Sequence, residues 1–158
     1  MSSEVLLTTM QLERLIPPGQ VGVLADYVYS QFSEPSEVVA REGNCYYTAS
    51  RITTYLREQH GVSSARTEIH TMGSLVHQVT TVPHPGRNGE LDTVFDATWQ
   101  QFLPESEQDG RHPLLFAGPR IGMIALVNRL NRSRDLASRP PRGNIYSIDT
   151  IYGQTRER

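Results

Sequence analysis

Everything else in the chain is placed relative to residues 43–61, GNCYYTASRITTYLREQHG. Within it Ala49, Ile52, Tyr55 and Leu56 recur at three- and four-residue spacing, which predicts a helix from Cys45 to His60 with one apolar face. Gly61 stands where such a helix takes a left-handed cap. Downstream the texture changes to strand. Ala65 to Ile69 is followed by Ser74 to Val82, where Leu75, His77, Val79 and Thr81 point one way and Val76, Gln78, Thr80 and Val82 the other. The turn formers from Pro83 to Gly89 separate this from a third strand, Asp92 to Ala97. A helix followed by consecutive antiparallel strands is an α+β pattern.

Upstream, Glu4 to Leu15 has helical spacing and is stopped by Pro17-Pro18-Gly19. A second helix is predicted from Val21 to Phe32, burying Val23, Leu24, Tyr27 and Val28, with a loop from Ser33 to Gly43. In the last third, Leu114 to Ala117 reads as a strand, Gly118-Pro119 as a turn, Ile121 to Leu130 as a helix and Asn144 to Ile151 as a final strand. The whole of 1–158 is expected to be one domain: N-terminal helices over 1–40, a catalytic core over 41–102, and a part over 103–158 completing the sheet and surface.

A chain of 158 residues buries enough surface to fold without metal or disulfide, and one cysteine excludes an internal disulfide. No apolar run has the length of a membrane span, and residues 1–15 lack the features of a signal peptide. The expected setting is the cytoplasm, with export lacking a cleavable signal peptide left open. All 15 basic residues are arginine, through either GC-rich codon usage or avoidance of lysine modification. Residues 111–142 carry a net charge of +6, from seven arginines and one aspartate, in a chain of net charge −2. Its Arg129, Arg132, Arg134, Arg139 and Arg142 could meet an acidic partner, but the acidic whole argues against nucleic acid.

The only cysteine falls in the first turn of the predicted helix. Unpaired backbone N–H groups there favour a thiolate and can donate to an oxyanion. A nucleophile needs a base, and the base an orienting acceptor. His77 is 32 residues on, within a strand, and Asp96 another 19 residues on, across the turn. If the two strands pair, His77 and Asp96 share a sheet face, and a helix packed on that face would deliver Cys45 to the imidazole, as in a Cys-His-Asp triad. Asp149 is an alternative third member. Each residue also has a plainer reading: a buried small thiol, a packed histidine, a strand-ending acid.

Gly43-Asn44-Cys45, Ala49, Leu56-Arg57, Gly61-Val62 and Ala65-Arg66, then His77 and Phe95-Asp96-Ala97-Thr98, together resemble the core of the transglutaminase-like, papain-like cysteine superfamily. The resemblance spans Arg41 to Phe102. It implies a papain-like α+β fold with the cysteine on a central helix against an antiparallel sheet, Cys45 as nucleophile, His77 as general base and Asp96 as its orienting carboxylate. The aromatic that usually follows the histidine is Gln78 here, and the papain-type glutamine shortly before the cysteine is absent. Asn44, Gln100 and Gln101 are therefore candidate side-chain oxyanion donors, and Trp99 is either core or a substrate platform.

The five histidines show no short paired ligand spacing, and neither a phosphate-binding glycine loop nor a Gly-x-Ser-x-Gly elbow occurs. The expectation is a cofactor-free, metal-free cysteine amide hydrolase, of peptidase or protein-glutamine deamidase type, acting on a peptide, protein or small acyl compound. An acyl or amine transferase on the same triad is the alternative. A non-catalytic binding module using the arginine-rich 129–142 segment is the reading from another class.

Overall fold

The computed structural model describes residues 11–41, 44–72, 75–86, 89–104, 107 and 112–135. Its organising element is helix α4, Cys45–His60, which buries Ala49, Ile52, Thr53 and Leu56 along one face. It ends where the sequence predicts, with Gly61 left-handed at φ 65° and the Val62 N–H donating to the Leu56 carbonyl. Before it come α1 over 11–15, α2 at Gln20–Ser30 and α3 at Ser36–Arg41. The helix α3 replaces the loop expected over 33–43. Pro35 leads into it, its carbonyl accepting from the Val38 and Val39 N–H groups, and Val39 and Ala40 enter the core. In α2 the buried face is Leu24, Val28 and Tyr29, whereas Val23 and Tyr27, expected inside, are exposed.

Strands β1 (Arg66–Met72), β2 (Leu75–Val82), β3 (Thr93–Asp96) and β4 (Phe116–Pro119) form a four-stranded antiparallel sheet in the order β1-β2-β3-β4, so this is an α+β fold. Strand β4 lies two residues later than the predicted Leu114 to Ala117 and incorporates Gly118-Pro119. Helix α5, Arg120–Asp135, starts immediately after it. The strand expected at 144–151, with Asp149, lies outside the described residues.

Two apolar clusters sandwich the sheet. On one face α4 meets Val82, Phe95 and Ala97 through Ile52 and Leu56, joined by Leu24, Val28 and Val39. Polar groups on this face are paired: the Thr80 hydroxyl donates to the Ala49 carbonyl at 2.8 Å and lies 2.9 Å from the Thr53 hydroxyl. On the other face Val79 and Val94 pack with Trp99, Phe102, Leu103 and, from α5, Met123 and Val127. A strand covered on both faces buries both its residue sets, which is why Thr80, Thr81, Gln78 and His77 are all inside despite their polarity. Tyr29 ties the N-terminal helices to this sheet, its hydroxyl reaching the Ala97 and Leu114 carbonyls at 2.6 and 2.8 Å.

Candidate active site

The β2–β3 register sets Thr80 opposite Phe95 and Thr81 opposite Val94, which places His77, Val79 and Asp96 on one face by strand alternation. His77 Nε2 lies 2.8 Å from Asp96 Oδ2, and both side chains are only 1% exposed. The other carboxylate oxygen, Oδ1, accepts from the Thr98 N–H at 2.8 Å and from the Thr98 hydroxyl at 3.3 Å. This Asx turn ends β3 and fixes the carboxylate that faces the imidazole. Phe102 packs edge-on to His77, 4.8 Å between ring centroids, and shields it from water.

Cys45 reaches the imidazole by a different route from the one expected. Its helix packs on the Thr80 face, opposite to His77, and not on the face that His77 and Asp96 share. The reason is the shortness of β3, whose pairing with β2 covers only Thr80–Val82. The stretch from Val76 to Gln78 has no β3 partner, and the thiol sits against it. Cys45 Sγ donates to the Val76 carbonyl at 3.8 Å, the Gln78 backbone N–H donates to the sulfur, and the sulfur interacts with the His77 ring from around the edge of the strand.

The electrostatics follow from this packing. Burial alone would raise the Cys45 pKa; the His77 contact, the Gln78 N–H and the His77 charge together outweigh it and hold the thiol below its ordinary value. Burial would likewise depress His77, but the charge and hydrogen bond of Asp96, with the contact to Cys45, push it up to about 9. Both shifts run in the direction that a thiolate–imidazolium pair requires. Asn44, at the N-cap of α4, makes no side-chain capping bond to the helix, while its carbonyl accepts from Thr48. The first-turn N–H groups of α4 are thus left without intrahelical acceptors beside the sulfur.

The remaining candidates separate. Gln101 belongs to the site, its Nε2 lying 3.0 Å from His77 Nδ1. Trp99 is core and not a platform: it is 1% exposed and its indole N–H donates to the Pro113 carbonyl at 3.1 Å. Gln100 is equally buried, its amide holding the His112 and Pro113 carbonyls at 3.3 and 3.1 Å, so it anchors the 112–113 segment and does not line a cleft. The sequence reading places Thr98 in the Asp-x-Thr motif and Phe102 at the end of a cleft-lining stretch without giving either a contact, although Asp-x-Thr after a strand is a signal for the Asx turn; it passes over the Val76 carbonyl. It also passes over Tyr46, Tyr47 and Val76 as side chains, which are half or more exposed.

Among the described residues no three His, Cys, Asp or Glu side chains converge as metal ligands, and no helix is long and apolar enough to cross a membrane. Comparison with protein-family models, with curated proteins and with solved structures found no match.

Proposed function

We propose that this protein is a cysteine-dependent amide hydrolase, of the peptidase or protein-glutamine deamidase type, built on a papain-like core. The observation that carries the reading is the buried His77–Asp96 pair at 2.8 Å with a lone cysteine, its pKa lowered, at the start of a helix against the same strand. A buried ion pair of this kind is costly for stability alone. Coupled to a thiol, it is the arrangement nucleophilic catalysis requires.

The chemistry is as follows. The Cys45 proton passes to His77, and the thiolate attacks the amide carbonyl. First-turn N–H groups of α4, with Asn44 beside them, stabilise the oxyanion. His77 imidazolium, held in orientation by Asp96, protonates the departing amine or ammonia, leaving a thioester on Cys45. Water, activated by the neutral imidazole, then releases the acid and restores the thiol. No cofactor enters this cycle. The exposed Tyr46 and Tyr47, which follow Cys45 in the first turn of α4, are available as apolar surface for a substrate chain.

The test is a screen of peptide and protein amides for new carboxylate and for released ammonia, with an amine acceptor in parallel. Hydrolysis or ammonia release that Cys45→Ser and His77→Ala both abolish supports the reading. Product only with the amine acceptor would move the protein to the transferase class on the same residues. Turnover that survives Cys45→Ser would remove the reading.

A further inference from the structure

The Gln101 carboxamide occupies a position that the triad chemistry does not require. Its Nε2 lies 3.0 Å from His77 Nδ1, 2.9 Å from the Thr98 carbonyl and 3.0 Å from the Thr98 hydroxyl. The orientation of the amide is dictated by its surroundings. A carbonyl oxygen can only accept, so the group facing the Thr98 carbonyl must be the NH2 end. Turned the other way, the Gln101 oxygen would sit against another oxygen at 2.9 Å with no proton between them. One amide hydrogen thus goes to Thr98 and the other toward Nδ1.

That assignment fixes the tautomer. Nδ1, facing a donor, must present its lone pair; the ring proton then lies on Nε2 and is donated to Asp96 Oδ2. Nδ1 has a single in-plane lone pair, so it cannot also take the Cys45 proton while Gln101 holds it. The thiol proton has an acceptor in the Val76 carbonyl at 3.8 Å, while the sulfur stays in contact with the ring.

We propose that Gln101 is a positioning residue that holds His77 in its neutral, Nε2–H form, and that its carboxamide must leave Nδ1 before the reactive pair forms. In the step itself the Cys45 S–H proton moves to Nδ1, the sulfur keeps the bonding electrons as thiolate, and the Gln101 N–H gives up its acceptor; no proton is gained or lost. Asp96 and Gln101 then oppose each other across one ring. The carboxylate favours the imidazolium and the carboxamide the neutral base, so the site is poised and not permanently ionised. A substrate that offers Gln101 another acceptor would release the ring. This rests on the proposed thiol chemistry and adds a regulator to it.

The test is a pair of titrations on the intact protein: the His77 ring nitrogens by NMR, and Cys45 alkylation against pH. Gln101→Leu removes the donor at similar size. Loss of one hydrogen bond to the neutral form predicts a His77 pKa higher, and a Cys45 midpoint lower, each by about half to one unit, with alkylation below the midpoint faster by about three- to tenfold. Gln101→Glu, which accepts the Nδ1 proton in place of donating, moves His77 further in the same direction. A merely structural role would do the opposite, because loosening the site lowers His77 and raises Cys45. In the unsubstituted protein, above the His77 titration, the ring proton is expected on Nε2. Unchanged midpoints, shifts of opposite sign, or a proton on Nδ1 would overturn the proposal. If instead His77→Ala itself leaves Cys45 alkylation unaltered, the thiol chemistry fails before Gln101 is in question.

Discussion

At the scale of single residues, the site depends on one carboxylate having both oxygens committed. Asp96 Oδ1 is held by Thr98 and Oδ2 faces His77. Asp96→Asn keeps the shape and removes the charge that counters burial of the imidazole. His77 should then titrate below 9, and Cys45 alkylation at mildly acid pH should slow, by less than about tenfold for each unit lost because the Asp96 charge also raises the thiol. Thr98→Val, which removes the weaker of the two bonds to Oδ1, should cause a smaller change of the same sign. Comparing alkylation rates of the three proteins checks both. Cys45, His77 and Asp96 were legible in the sequence because a lone cysteine at a loop–helix join, a strand histidine and a strand-end acid each have recognisable local settings. Thr98 and Phe102 were named in the sequence, but their contacts with Asp96 and His77 were not legible: the Asp-x-Thr spacing signals a turn, and it does not say which atom of the imidazole pair each side chain meets.

At the scale of elements, what could be read was what local chemistry dictates. The α4 boundaries follow from its apolar period and from Gly61, and the β2 limits from alternation and the turn formers after it. Gly61→Ala forces a Cβ into φ 65° and should cost about 1 kcal/mol in a urea denaturation, although the position has open space around it. The burial of α2 could not be read from spacing. Its inner face is decided by Tyr29, whose hydroxyl finds the Ala97 and Leu114 carbonyls 68 and 85 residues away. Tyr29→Phe leaves those carbonyls without this donor and should cost about 1–3 kcal/mol by the same denaturation. The route by which Cys45 reaches the imidazole was also misjudged, because it turns on where β3 stops and leaves Val76 to Gln78 without a partner on that side. That point is set by the Asx turn at Asp96, and the hydrophobic pattern carries no trace of it.

At the scale of the whole molecule, two charged networks cross the α5 side of the sheet. Arg120, at the start of α5, reaches from the β4 end of the fold to Glu68 on β1, the opposite edge strand, with Asp92 at 3.9 Å. Arg120→Met would take this cation from Asp92 and leave Glu68 with Arg66, at a cost of about 3 kcal/mol measured by denaturation. The other network is the site itself, and it makes stability depend on pH. The folded pKa of His77 is raised, so its contribution is full below 6.5, the unfolded value, and is lost as pH rises through about 9. Cys45 is lowered, so its contribution is full above 9, the unfolded value, and is lost as pH falls through the depressed one. The stability difference between the unsubstituted protein and Asp96→Asn should therefore be larger at pH 6 than at pH 10, a comparison two denaturation curves per protein provide.

The central claim is that Cys45 and His77 form one titrating unit, and the pH dependence of Cys45 alkylation, followed by intact mass, tests it most directly because the chain has a single cysteine. The account predicts fast labelling with a midpoint below 9, the ordinary value of this thiol, moving up toward it in His77→Ala. Slow labelling with an ordinary midpoint, indifferent to His77, would make Cys45 a packed thiol and contradict the account.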